Sequence, residues 1–116
     1  MSFGRQLIRR FSSAQPTSRR FDGKSVIVTG GANGIGAAIT SQLYLEGALV
    51  TIADLDADGA HRTMSSLTPA PGLHAPIFVK TRVNVEAESV KLIQHAKRHW
   101  GHIDGLVNNA VSFVVR

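Results

Sequence analysis

One stretch limits what this chain can fold into more than any other. Thr29-Gly30-Gly31-Ala32-Asn33-Gly34-Ile35-Gly36 follows a short β-branched run, Ser25–Thr29, and opens a helical pattern. A strand that passes through glycines straight into a helix is the setting of a phosphate-binding turn. Each glycine has its own physical task there. Gly30 lets the chain turn sharply off the strand. Gly34 leaves out a Cβ where a pyrophosphate must approach the backbone. Gly36 lets the helix pack close to the sheet. The helix N-terminus then offers unbonded N–H groups and a partial positive charge to phosphates.

The rest of the chain repeats the same alternation. A helix is expected over Ile35–Glu46, with Ile35, Ala38, Ile39 and Leu43 on one face and Gly47 as its C-terminal glycine. Ala48–Ala53 reads as a second buried strand ending at Asp54. Asp56–Leu67 reads as a weaker helix capped by Asp56. Thr68–Pro76 holds three prolines and one glycine, so it is a loop. Ile77–Val83 is a third strand. Glu86–Trp100 is a third helix, with Val90, Ile93, Ala96 and Trp100 on one side. Ile103–Asn108 is a fourth strand. The strands are continuously apolar rather than alternating, so both of their faces are covered. The pattern βαβαβαβ with right-handed crossovers predicts a Rossmann-type α/β fold, a parallel sheet with helices on both faces.

Three features stand at set distances from the glycine turn. Asp54 comes eighteen residues after Gly36, at the tip of the second strand. A carboxylate there can accept both hydroxyls of an adenosine ribose and repels a 2′-phosphate. The neighbours placed to bind that phosphate, Ala32, Asn33 and Leu55, are uncharged, which favours NAD over NADP. Asn84-Val85 follows the third strand, and Asn108-Asn109-Ala110 ends the fourth. With these residues in register, the sequence resembles the short-chain dehydrogenase/reductase family. Thr29–Gly36 matches the family's Thr-Gly-x-x-x-Gly-x-Gly, and Val107–Ala110 matches the start of its Asn-Asn-Ala-Gly. The resemblance covers about residues 21–110.

That resemblance implies a dinucleotide site made by Gly30, Asn33, Gly34, Ile35 and Gly36 in the turn, Asp54 and Leu55 beyond the second strand, Asn84 and Val85 against the adenine, and Asn109. It implies hydride transfer between NAD(H) and an alcohol or ketone in a complete enzyme. The family's Tyr-x-x-x-Lys pair is missing. The one tyrosine, Tyr44, lies inside a helix with Ala48 four residues on, so it reads as a packing residue. No catalytic residue is therefore assigned. Val111 stands where the family has glycine. The expectation is a fragment or truncated product ending after about four strands, with an open apolar edge on the fourth. The alternative is a non-catalytic protein that binds NAD or docks onto a full-length subunit.

Charge separates the two ends of the chain. The formal net charge is +5, yet residues 1–20 hold five arginines and no acid, while residues 21–116 hold eight basic and eight acidic residues. The domain carries no basic excess of its own, which argues against nucleic acid. Over residues 3–11, Phe3, Leu7, Ile8 and Phe11 form an apolar sector opposite Arg5 and Arg9. This is the pattern of a mitochondrial transit peptide over residues 1–20, and Arg9-Arg10-Phe11-Ser12 resembles its cleavage site. A disordered basic tail on a cytoplasmic protein is the alternative. No apolar run approaches the length of a membrane span. The chain has no cysteine, which excludes thiolate metal sites. His95 and His99 fall on a polar helix face beside Glu88 and Lys91, so no metal site is expected.

Overall fold

The computed structural model describes residues 19–110. Most of the basic leader and Val111 lie outside the described residues. Along the chain come Ser25–Thr29 (β1), Gly34–Leu45 (α1), Leu49–Asp54 (β2), Ala57–Ser65 (α2), Ile77–Lys80 (β3), Glu86–Trp100 (α3) and Gly105–Asn108 (β4). All strand pairs are parallel, in the order β3-β2-β1-β4. This is the Rossmann-type arrangement that the alternation predicts.

The two central strands are continuously apolar because helices cover both of their faces. Val26, Val28, Val50 and Ile52 point to one side and pack with Leu43 of α1 and Ala60 of α2. Ile27 and Ala53 point to the other and pack with Leu92 and Ala96 of α3. The edge strands β3 and β4 are more exposed. On β4, Leu106 is 58% exposed.

Both edge strands are shorter than expected for one reason: a ladder can be no longer than its partner strand. β3 stops at Lys80 because β2 ends at the paired Asp54, and the last backbone bond runs from Thr81 N–H to the Asp54 carbonyl (3.0 Å). β4 starts at Gly105 because β1 starts at Ser25. Below that point Asp104 takes over, its N–H donating to the Ser25 carbonyl (2.8 Å) and its carboxylate accepting from Ser25 N–H (2.8 Å). α2 opens after Asp56, which caps it by accepting from Gly59 N–H (2.9 Å), and it ends at Ser65, two residues short of the expected Leu67.

The helix faces also differ. In α1 the buried residues are Gly36, Thr40, Leu43 and Tyr44, while Ile35 and Ala38 are exposed. In α3 they are Leu92 and Ala96, while Val90 and Ile93 are exposed. Close helix–sheet packing admits small side chains, so Gly36 and Thr40 are buried where apolar size points to Ile35, while Leu43 and Ala96 fall on the expected faces and Ile39 packs against the core. Tyr44 is buried, with its hydroxyl donating to the Thr68 carbonyl (2.9 Å). The end of the basic leader joins the domain. Arg20 pairs with the buried carboxylate of Glu46, with Nη2 to Oε2 at 2.9 Å, and Arg19 donates to the Pro71 carbonyl (3.2 Å).

Two outcomes follow from this packing. A Cβ on Gly36 would overlap the Gly30 carbonyl oxygen. Gly36→Ala should therefore cost about 3 kcal/mol and lower the melting temperature by roughly 12 °C. A melting temperature within a degree or two of wild type would refute the close approach. Asp56 has its carboxyl held below the ordinary aspartate range, first by Gly59 N–H, then by the Asn33 amide. A lowered folded value means stability present at neutral pH and lost in acid, beginning as pH falls past the ordinary value of about 3.9. Thermal melts of Asp56→Asn against wild type between neutral pH and pH 3 should show a smaller acid-side loss in the variant. Parallel losses would exclude Asp56 as a source.

Candidate functional site

The cleft lies at the C-terminal ends of the strands, where the chain leaves β1 toward β2 on one side and β4 lies on the other. Open α/β sheets place ligands at such a reversal of strand order. Its volume is about 510 Å³. Gly30, Ile35, Asp54, Leu55, Asn84 and Asn109 all line it. Asn33, Gly34, Gly36 and Val85 do not.

These four sit elsewhere in the turn and at the start of α3. Asn33 turns its amide away, donating to the Asp56 carboxylate (2.8 Å). Gly34 has φ +56°, with open space where a Cβ would lie. Gly36 is buried against Gly30. Val85 is the N-cap residue of α3, and its N–H donates to the Arg82 carbonyl (3.0 Å).

The turn is held rigidly from below and behind. Gly30 N–H donates to the Ala53 carbonyl (2.8 Å). Ala32 N–H donates to Asp54 Oδ2 (3.1 Å), and the Ala32 carbonyl accepts from the buried Thr63 hydroxyl (2.8 Å). Asp54 Oδ1 accepts from Asp56 N–H (3.0 Å). One carboxylate thus fixes the glycine turn and the start of the β2–α2 connection while standing at the cleft wall. Its remaining lone pairs stay available for a ligand, since each oxygen carries two.

Asn109 reaches the cleft through Thr29. The Thr29 hydroxyl accepts from the N–H groups of Asn109 (3.0 Å) and Ala110 (3.1 Å). Asn109 Nδ2 then donates to the Gly30 carbonyl (3.3 Å). Thr29 is thus the link that places the Asn109 side chain beside the glycine turn, a role its position in the motif does not reveal. The sequence reading also missed Thr81 and Arg82. Thr81 is buried and donates to the Val79 carbonyl (2.9 Å), and both residues line the cleft.

Above this wall stands the N-terminus of α1. Asn33 makes no side-chain cap, and the first turn carries no acid. The first helical bond is from Ala37 N–H to the Asn33 carbonyl (3.1 Å). The N–H groups before it are the unmatched donors of a helix start, and they favour an anion. Ile35 is 74% exposed at this point, Leu55 52% and Val83 43%, so the rim of the cleft is apolar. An apolar rim, a carboxylate wall and a bare helix start suit a ligand with a flat ring, a ribose and phosphates. His95 and His99 are exposed on α3, away from this cleft.

Comparison with known proteins agrees with this geometry. The short chain dehydrogenase family profile matches residues 24–113. The chain is 41% identical over 96 residues to sex determination protein tasselseed-2 of Zea mays, covering 82% of this chain and 27% of that one. It is 36% identical over 94 residues to sorbitol dehydrogenase of Cereibacter sphaeroides, covering 81% and 35%. Among solved structures, hydroxysteroid dehydrogenase from Escherichia coli superposes with a TM-score of 0.73 at 30% identity, over 82% of this chain and 40% of that one. Glucose dehydrogenase of Caenorhabditis elegans superposes with a TM-score of 0.72 at 32% identity, over 81% and 40%. The chain spans about a third or less of the length of these two curated relatives. The family match, the sheet order and the glycine turn agree, and the chain belongs to the short-chain dehydrogenase family.

Proposed function

We propose that this chain is the cofactor-binding half of an NAD-dependent short-chain oxidoreductase, which in its complete form moves a hydride between NAD(H) and an alcohol or ketone. The observation that carries this is the bare N-terminus of α1 standing over a cleft walled by Asp54. The pyrophosphate would take the unmatched N–H groups after Asn33, with Gly34 leaving room for it. Asp54 would accept the ribose hydroxyls, and Leu55, Asn84 and Val83 would flank the adenine. Asn109 would stand on the nicotinamide side, held by Thr29. NAD, once bound, supplies or accepts the hydride. The protein's part is to hold and orient the dinucleotide. The chain contains no Tyr-x-x-x-Lys pair for proton transfer.

Asp54 supports NAD as the preferred cofactor. A 2′-phosphate placed on the ribose would meet its charge, and Asp56 lies two residues on. The arginine-rich amphipathic leader supports a mitochondrial destination. Glu46 holds Arg20 against the domain, which favours cleavage upstream, near Arg9–Ser12, over removal of the whole leader.

Titration calorimetry of the full chain with NAD should give saturable binding. Asp54→Asn removes the charge and one of the two acceptor oxygens, and should weaken NAD by about tenfold. No heat and no thermal shift with NAD would sink the cofactor assignment. For the leader, residues 1–20 fused ahead of a fluorescent reporter should bring it into mitochondria, and replacing Arg5, Arg9 and Arg10 by Gln should abolish this. A reporter that stays diffuse with the native leader would reject the destination.

A further inference from the structure

The dinucleotide reading leaves one charged side chain in the cleft without a task. Arg82 is exposed and lines the same cleft as Asp54. Among the described residues it is the only cation that does so. Its backbone is fixed. Arg82 N–H donates to Glu88 Oε1 (2.8 Å), and its carbonyl accepts from Val85 N–H (3.0 Å). The preceding residue, Thr81, is pinned to Asp54 and Val79. Its guanidinium forms no hydrogen bond or ion pair among the described residues. Arg82 therefore presents a free, permanently charged head from a firm base.

Its location bears on one chemical distinction. Arg82 stands two residues beyond Lys80, which pairs with Asp54 in the sheet. Asp54 and Arg82 thus enter the cleft from neighbouring strand ends, with opposite charge and without pairing to each other. Positions 32, 33 and 55 beside the ribose wall are Ala, Asn and Leu. A phosphate on the ribose would be repelled by Asp54 and would find its counter-charge at the neighbouring strand end. A planar guanidinium is suited to a phosphate, which it can hold through two parallel hydrogen bonds.

We propose that Arg82 is a specificity-determining residue of this cleft, supplying the charge that lets NADP bind as a second cofactor despite Asp54. The proposal rests on the reading of the cleft as a dinucleotide site. The opposing arrangement would place the guanidinium over the adenine ring, which both cofactors share. The two arrangements differ in what they do to the ratio of affinities.

The test is calorimetric titration of the full chain with NAD and with NADP, for wild type, Arg82→Gln and Arg82→Lys, at low and high salt. The side chain is exposed and unpartnered among the described residues, so each variant should melt with wild type. Arg82→Gln should weaken NADP by about fivefold and NAD by less than twofold. Arg82→Lys should recover part of the NADP affinity, and the difference should shrink as salt rises. Equal losses for both cofactors would assign Arg82 to the adenine and overturn the proposal. No change for either would overturn it too, as would wild type binding NAD with no detectable NADP. Wild type that binds neither would bring down the dinucleotide reading, and this proposal with it.

Discussion

The structure depends on a contact in which no side chain takes part. Gly36 sits so close to the Gly30 carbonyl that any Cβ would overlap it. This contact sets α1 directly against the top of β1. The unmatched N–H groups of the helix start come to face the cleft for that reason. Behind the contact, Gly31 would tolerate a Cβ poorly as well, with Thr40 Oγ1 and the Val28 carbonyl both 3.0 Å from where it would lie. The turn is therefore shaped by exclusion, and small residues there are a packing requirement before they are a binding one.

A set of hydroxyls and carboxylates then fixes what the glycines leave open. Thr63 takes the Ala32 carbonyl, Asp54 takes the Ala32 N–H, and Thr29 takes the first N–H groups after β4. Unpaired, buried polar groups of this kind would each cost about 1–3 kcal/mol. Paired, they hold the loops to one arrangement. The same Asp54 carboxylate that is read as the ribose acceptor also braces the turn that is read as the phosphate site. The two halves of the cleft are thus mechanically one object.

Much of this was legible in the sequence, and the gaps have physical reasons. β1 and α3 match their expected bounds because an apolar run and a long capped helix are set by local residues. The shorter β3 and β4 are set by what they pair with, which no local pattern contains. The buried stripes of α1 and α3 were legible in part: Leu43 and Ala96 stood on the expected faces, while Gly36 and Thr40 owe their burial to closeness and Ile35 and Ile93 keep their bulk outside. In the site, the glycine turn, Asp54 and Asn109 stood out by spacing. Arg82 and Thr81 did not, because only the register of β3 against β2 brings them to the cleft. Thr29 lay in plain view, but its partner is 80 residues away.

That last separation has a kinetic meaning. Pairing β1 with β2 joins Ser25 to Leu49, a short excursion. Pairing β1 with β4 joins Val26 to Gly105. Closing the longer excursion costs about 1 kcal/mol more in chain entropy. Of the two ladders on β1, the one with β4 is therefore the slower to close. Until it does, Thr29 has nothing to hold and Asn109 is not at the turn. The cleft is complete only when that slower ladder has closed, so its occupancy would report that β4 has docked.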